Sequence, residues 1–206
     1  MRCLATTLIV CLMAHAEIID RIAVTIDNRV ITESEIERQI RITAFLNGEQ
    51  PNLSSANKRA TADRLIEQVL IRRELESTRY AAPGSGADKT YQELKQKHHG
   101  DDGYKQALAK YQITDKDVRE AIQWQAILLD FIEIRFRPGI QLPESEVQDY
   151  YKQQLAQNPG KLPSFEEARE SIESILTAQR VDNAVDRWLG QARTQTRIRY
   201  TQEVFQ

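Results

Sequence analysis

The sequence predicts a mainly α protein, a multi-helix orthogonal bundle with a small antiparallel sheet. Long segments carry apolar residues at the three- and four-residue spacing of a helix face, and only two short segments alternate apolar and polar residues. These two segments lie far apart, at 18–31 and 197–201. The 8 Gly and 6 Pro are too few for a turn-rich all-β fold. We therefore expect an N-terminal hairpin and a C-terminal strand to share one sheet.

Residues 1–16, MRCLATTLIVCLMAHA, predict a secretory signal peptide. Arg2 supplies a short basic region, and the apolar stretch Leu4–Met13 has the length of a signal-peptide core rather than of a membrane span. Ala14 and Ala16 fit the small-residue cleavage pattern, so Glu17 is the expected first residue of the mature chain. The segment therefore predicts an exported protein.

Two alternatives stay open for this segment. It could form a buried N-terminal helix, or Cys11 could be the lipid-modified residue of a lipoprotein. Val10 disfavours the second alternative, because a lipoprotein signal carries a small residue directly before the modified cysteine.

Removal of the leader changes what chemistry the chain can support. Every sulfur-containing residue lies in it: Met1, Cys3, Cys11 and Met13. The mature chain therefore has no disulfide, no thiolate nucleophile and no cysteine-based zinc site. Loss of Arg2 makes the formal net charge of −2 one unit more negative. Such a charge gives no general attraction to nucleic acid or anionic membrane, and no later segment is apolar enough for stable membrane insertion.

The chain after the leader begins with a predicted hairpin. Residues 22–26 alternate apolar and polar side chains, and the pair at 27–28 suits a two-residue turn. Thr32 and Glu35 match a capping box that opens the first helix, and Gly48 ends it.

Three further helices are predicted over 55–80, 88–99 and 104–111. The sequence AAPGSGA breaks the chain before the second of these, with Asp88 as its N-cap, and GDDG at 100–103 is interpreted as a turn.

Thr114 and Asp117 match a second capping box, which opens the most apolar helix of the chain. Pro138 and Gly139 end it. Its apolar residues cover more than half of the circumference, so we expect it to be the central helix of the core. These residues are Val118, Ala121, Ile122, Trp124, Ile127, Leu128, Leu129, Phe131, Ile132, Ile134 and Phe136.

Two helices are predicted near the C-terminus. The first begins at Pro143 and runs to about Gln157; the second begins after a third capping box, Ser164 with Glu167, and runs to about Gln195. The second helix has a predicted buried face of Ile172, Ile175, Leu176, Val185, Trp188 and Leu189.

Few residues suggest catalysis. His98 and His99 point about 100° apart on a helix, which suits no shared metal ion, and we interpret both as solvated surface. Phosphate-binding glycine motifs are missing from the sequence. The acidic groups at 144–149 and 166–170 suit helix N-termini, and the basic clusters at 72–73 and 193–199 are interpreted as solvated faces.

Aromatic residues offer the remaining candidates. They could line an apolar groove, although ordinary core packing is the favoured interpretation for each one singly. The candidates are Trp124, Phe131, Phe136, Tyr150, Tyr151 and Trp188. Binding, rather than catalysis, is therefore the expected activity.

The order of these motifs resembles the SurA-like periplasmic chaperones. The stretch IIDRIAVTIDNRVITESEIERQI looks like the N-terminal signature of that family, and ADRLIEQVLIRRELE resembles its second helix. YQITDKDVREAIQWQAILLDFIEIRF and LPESEVQDYYKQQL resemble its later helix and its linker helix. SFEEARESIESILTAQRVDNAVDRWLGQARTQTRIRY resembles the C-terminal helix and strand that follow the family's parvulin prolyl-isomerase domain. The likeness covers nearly all of the mature chain.

The resemblance implies a domain organisation with one omission. Residues 17–140 correspond to the N-terminal chaperone domain, and 165–206 to the helix and strand that complete the same core. Relatives carry a parvulin prolyl-isomerase domain of about 100 residues within the region 141–164, and so short a segment cannot hold one. The implied protein is therefore not an enzyme and uses no cofactor or metal.

Together with the signal peptide, the resemblance implies an ATP-independent holdase in the periplasm of a Gram-negative-type envelope. Members bind unfolded polypeptides, often of outer-membrane proteins, in an apolar cleft between helices, but the likeness assigns no individual peptide-contacting residue. A homodimer is left open. The alternatives are a structural or assembly module of the cell envelope and, with less support, a divergent prolyl isomerase.

Overall fold

The computed structural model describes residues 20–78, 83–157, 160 and 163–206. Within them, seven α-helices accompany one small antiparallel sheet, which confirms the predicted mainly α class. The predicted cleavage residues Ala14, Ala16 and Glu17 lie outside the described residues.

The elements follow one another in nearly the predicted order. The strands are β1 (Ile22–Ile26), β2 (Arg29–Thr32) and β3 (Ile198–Tyr200). The helices are α1 (Glu33–Asn47), α2 (Ser55–Thr78), α3 (Ala87–Lys97), α4 (Asp101–Tyr111), α5 (Asp115–Arg135), α6 (Glu144–Gln157) and α7 (Phe165–Thr194). Short 3₁₀ turns cover Arg137–Gly139 and Gln202–Phe205.

Strand β1 lies in the middle of the sheet, in the order β2-β1-β3. It pairs antiparallel with β2 across the turn at Asp27, whose φ of 50° suits the hairpin. On its other edge it pairs antiparallel with β3, with Val24 opposite Tyr200 and Ile26 opposite Ile198. The C-terminal strand thus completes the sheet that the N-terminal hairpin begins, as the sequence predicts.

Helix caps are confirmed in three places. Thr32 Oγ1 accepts a hydrogen bond from the Glu35 N–H at 3.3 Å, although no reciprocal bond from the Glu35 side chain forms among the described residues. Thr114 with Asp117 and Ser164 with Glu167 form complete capping boxes.

Two local predictions are wrong. Helix α3 begins at Ala87 with Gly86 as its N-cap, so Asp88 lies in the first turn, where its charge favours the helix dipole. Residues 101–103 belong to α4 rather than to a turn. Gly103 is needed there for close approach, because a Cβ at this position would lie 2.0 Å from the His98 carbonyl oxygen.

The buried apolar residues form three clusters. The first packs the sheet on α1 and α2, with Val24, Ile26 and Ile36 fully buried. The second joins α1, α3, α4 and α5 around Phe45, and the third joins α2, α5 and α7 around Phe131. Helix α1 contributes buried residues to both of the first two clusters and so joins the sheet to the helices around Phe45.

Helix α5 is less central than its sequence predicts. Leu129 is 64% exposed and Ile134 is 43% exposed, while Val118, Ile122, Trp124 and Phe131 are buried. Much of α7 is also solvent-facing, because only Ile172 and Val181 are buried among its described residues and α6 is the element that it contacts most. The prediction that Ile175 is buried is therefore wrong, since 39% of its surface is exposed.

Ion pairs join α6 to α7. Arg169 binds Glu144, and Arg180 binds Glu146, so the two acids that begin α6 do more than favour its dipole. The fully buried Val147 is the apolar anchor of the pair. Among the described helices, none has an apolar stretch of the length needed to cross a membrane.

Candidate functional site

An open groove of about 600 Å³ lies between α2, α3 and α5. Its floor is aromatic and aliphatic, and its rim is charged and polar. The lining residues are Arg72, Ala87, Asp88, Tyr91, Arg119, Glu120, Ile122, Gln123, Trp124 and Ile127. Grooves with an apolar floor and a few polar groups on the rim are the usual form of ligand sites.

The α3 wall of the groove is fixed by the loop that precedes it. Asp130 on α5 accepts hydrogen bonds from the N–H groups of Gly84, at 2.9 Å, and Ser85, at 3.2 Å. Gly84 has a φ of +69°, and a Cβ there would lie 2.1 Å from the Gln123 side-chain nitrogen. Only glycine fits this close approach without strain, so the loop holds the start of α3 against α5.

A polar network supports the same wall from behind. The hydroxyl groups of Tyr91 and Tyr104 donate to Asp115 Oδ1 at 2.6 and 2.9 Å, and Arg119 Nε donates to its other oxygen at 2.8 Å. Partial burial acts in the opposite direction, but these hydrogen bonds lower the pKa of Asp115. Burial, together with the bond to Asp115, raises the pKa of both tyrosines. Near neutral pH the network is therefore a carboxylate held by neutral phenols and one cation.

Two arginines cover the aromatic floor. The guanidinium carbon of Arg119 lies 3.7 Å from the centroid of the Tyr91 ring, and that of Arg72 lies 4.0 Å from the Trp124 ring. Both rings are buried, at 4% and 6% exposure. The guanidinium groups thus form the surface that a ligand meets first, with the rings beneath them.

Apolar surface continues along α5 beyond the groove. Ile127 lines the groove and is partly buried, while Ile134, two turns on, is 43% exposed. Residues seven apart lie on the same face of a helix, so these two side chains extend the apolar strip of the groove along α5.

The aromatic residues that the sequence suggested as a possible groove lining lie in different parts of the structure. Trp124 lines the groove, whereas Phe131, Phe136 and Trp188 pack on one another with ring centroids 5.7–6.0 Å apart. Tyr151 contacts the Phe165 ring at 5.4 Å between centroids, which joins α6 to the start of α7. Core packing is therefore the correct interpretation for most of them.

The histidine prediction is half correct. His99 is exposed, but His98 is half-buried and stacks on Phe45 at 4.9 Å with an interplanar angle of 8°. Burial lowers the pKa of His98, which keeps the ring neutral at pH 7. In the part of the chain that the structure describes, His, Asp and Glu side chains form no cluster able to hold a metal ion.

The basic clusters are not simple solvated faces. Arg73 donates to Asp27 at 2.8 Å, and Arg193 donates to Asp63 at 2.7 Å and to Glu67 at 3.3 Å. Sequence reasoning missed these roles because each partner lies far away along the chain. The position of Tyr91 and Arg119 in the groove was missed for the same reason.

A second cavity of about 570 Å³ lies at the base of the α6–α7 pair. Ile140 and Arg180 are among its lining residues. Arg180 is held there by the Gln141 carbonyl oxygen and by Glu146, so its charge is already compensated. The cavity offers less to a ligand than the first groove.

Comparison with known proteins gives no assignment. Neither a protein-family model nor a curated protein matches this chain. The function must therefore be argued from the groove and from the sequence.

Proposed function

We propose that this protein is a non-catalytic, ATP-independent periplasmic chaperone that holds unfolded polypeptides in the groove between α2, α3 and α5. The groove is the observation that supports the proposal most directly: it is open, its floor is aromatic and aliphatic, and exposed apolar surface continues beyond it. The likeness of the sequence to SurA-like chaperones supports it independently.

The proposed mechanism is mass action. Binding of exposed apolar segments lowers the concentration of unfolded chains that are free to aggregate. Half of the lining is polar, so contacts are divided between ring faces, an aliphatic side chain and guanidinium groups. Such mixed contacts favour weak binding with fast release, which a holdase needs.

Aggregation of a denatured client, followed by light scattering, tests the proposal. Suppression is expected at near-stoichiometric chaperone. Ile127→Ser should weaken it, because this change removes apolar surface from the groove. Leu155→Ser is the matched control, since Leu155 is 40% exposed on α6, away from the groove. Failure to suppress the aggregation of several different clients would refute the proposal. Loss of suppression in Leu155→Ser but not in Ile127→Ser would place the client site on α6 instead.

A second candidate function is a structural or assembly module of the envelope, acting as a homodimer or docked to a complex. The exposed Leu155 and Ile175, at 40% and 39%, favour it, since they leave apolar surface on the α6–α7 pair. Multi-angle light scattering distinguishes the two proposals. A dimer that Ile175→Ser dissociates, in a protein that protects no client, would favour the assembly role.

We also propose that the protein has no prolyl-isomerase activity, because the segment between α6 and α7 is too short to contain a parvulin domain. A refolding reaction limited by proline isomerisation should not be accelerated by the protein. The periplasmic location is tested by N-terminal sequencing of the exported chain, which should begin at Glu17 if cleavage follows Ala14 and Ala16.

A further inference from the structure

We propose that the groove prefers segments in which one carboxylate lies beside an apolar residue, and that Arg72 is the group that binds the carboxylate. The inference rests on the proposed function, because it specifies the kind of segment that the same groove would hold. It is argued from the position of Arg72, its unused donors and the charges around it.

Arg72 is held in place without using its hydrogen-bonding capacity. Its guanidinium group stacks on Trp124, with 4.0 Å from the guanidinium carbon to the ring centroid. Within the described residues it forms no hydrogen bond and no ion pair. A guanidinium group has five N–H donors in a rigid fork that matches a carboxylate. Stacking on Trp124 therefore fixes the orientation of the guanidinium group and leaves its N–H donors available to a ligand.

Three other arginines in this region, unlike Arg72, are each paired with an acidic residue. Arg73, the next residue on α2, is paired with Asp27 at 2.8 Å. Arg119, the other arginine of the groove lining, is paired with Asp115 at 2.8 Å, and Arg135 with Glu74 at 3.1 Å. Among the described lining residues, the positive charge without a direct partner is thus that of Arg72.

The charges around Arg72 favour an incoming anion. Desolvation of the guanidinium group is the main cause that lowers the pKa of Arg72, and repulsion by Arg29 adds to it, while attraction by Glu120 and Glu76 acts in the opposite direction without reversing the shift. Arg29 itself is an exposed residue of the hairpin. A carboxylate placed at Arg72 would relieve this repulsion. Charge-assisted bidentate pairing of this kind is among the stronger hydrogen-bonding arrangements in proteins.

The remaining charges limit how acidic the segment can be. Asp88 lines the α3 side and Glu120 lines the α5 side of the same groove. A run of several acids would bring a second carboxylate close to one of these, and like charges repel. The floor beside Arg72 is formed by Trp124 and Ile127, which suit an apolar side chain. One carboxylate flanked by apolar residues is therefore the best match.

Calorimetric titration with three blocked peptides tests the inference. The peptides share a Leu- and Ala-containing sequence and differ only at a central Glu, Gln or Lys. The wild-type protein should bind the Glu peptide about tenfold more tightly than the Gln peptide, and the Lys peptide most weakly. Arg72→Gln should abolish the preference for Glu, so that the Glu and Gln peptides bind the variant with equal affinity.

Two further variants sharpen the result. Arg199→Gln removes an exposed positive charge from β3, outside the groove, and should keep the preference. Arg72→Lys should retain part of it, because the charge remains but the planar fork is lost. Circular dichroism confirms that each variant is folded.

The outcomes separate the two proposals. Equal affinities of wild type for Glu and Gln peptides, or a full Glu preference in Arg72→Gln, would overturn the inference and leave the chaperone proposal intact. Failure of every peptide to bind, in a protein that does protect clients, would place the client site elsewhere and overturn the inference. Failure of every peptide together with failure to protect any client would overturn both.

Discussion

The contact that closes the sheet provides the most direct test of the fold. Tyr200 on β3 donates a hydrogen bond to Asp63 on α2 at 2.5 Å, and Arg193 on α7 donates to the same carboxylate oxygen at 2.7 Å. The Tyr200 ring also stacks under Arg59, 3.4 Å from the guanidinium carbon, and contacts Phe205. Tyr200→Phe would remove the hydroxyl group and keep the ring contacts.

The expected cost follows from the kind of bond that is lost. A hydrogen bond to a charged group contributes about 1.5–3 kcal/mol. The Asp63 side chain is 35% exposed, so water replaces part of the lost interaction, and we expect a decrease of about 1–2 kcal/mol in the free energy of unfolding. For a domain of this size that corresponds to a fall of about 2–8 °C in Tm.

Urea denaturation followed by circular dichroism measures this difference. Tyr150→Phe is the control, because the Tyr150 hydroxyl makes no hydrogen bond with any residue that the structure describes. Equal stability of the two variants would refute the assigned role of the Tyr200 hydroxyl group.

The same contact has a predicted pH dependence. Burial acts to raise the pKa of Asp63, but the bonds from Tyr200 and Arg193 outweigh it and lower the pKa below 3.8. A lowered folded-state pKa stabilises the protein above the unfolded-state value, and this contribution is lost as the pH falls through the folded-state value. The difference between wild type and Tyr200→Phe should therefore be constant above about pH 5 and shrink in stronger acid. A difference that grows in acid would contradict the reasoning.

Three other predictions concern stability, each measured by urea denaturation. Ile26→Ala, at a fully buried residue of β1, should cost about 2–5 kcal/mol, whereas Val30→Ala, at a 42% exposed residue of β2, should change stability by about 0.5 kcal/mol or less. Thr114→Ala should cost about 1 kcal/mol, because it removes the capping box of α5; no loss would mean that Asp117 alone satisfies the helix end. Burial lowers the pKa of His98 in the folded state, so its contribution to stability should be lost as the pH falls from 6.5, the unfolded-state value, through the folded-state value. His98→Phe should abolish this acid sensitivity, whereas the same change at the exposed His99 should not.

Local signals in the sequence predict most of the fold. Alternation at 22–26 and 198–200 marks the strands, and the capping residues Thr114 and Ser164 mark helix starts that the structure confirms. These signals act within a few residues along the chain, so composition and spacing are enough to find them. The turn predicted at 100–103 was wrong because Gly103 serves close packing rather than chain reversal, and spacing does not distinguish these uses.

Burial is harder to predict than helix position. Periodicity identifies Leu129 and Ile175 as members of apolar stripes, but a stripe is buried only where a neighbouring element covers it. Among the described elements, α6 has its most extensive contact with α7, and its ion pairs with Arg169 and Arg180 join the two helices without enclosing a large core. A pair of helices leaves part of each apolar stripe exposed, so the predicted buried face of α7 was too extensive. On α5, Leu129 and Ile134 are likewise left uncovered, so its predicted central role was too strong.

The groove is formed by contacts between residues that lie far apart along the chain, which local sequence patterns do not predict. Arg72 resembles any surface arginine of a charged helix, and it is indeed exposed. Its distinct position depends on the loop at Gly84 and Asp130, which sets α3 beside α5 and leaves the Trp124 ring facing α2. Arg72 differs from Arg73 and Arg119 in its contacts and not in its residue type, because those two are paired with an acid while its own donors are unused. For that reason the charged face of α2, which the sequence offers as solvated surface, is where we expect client specificity to arise.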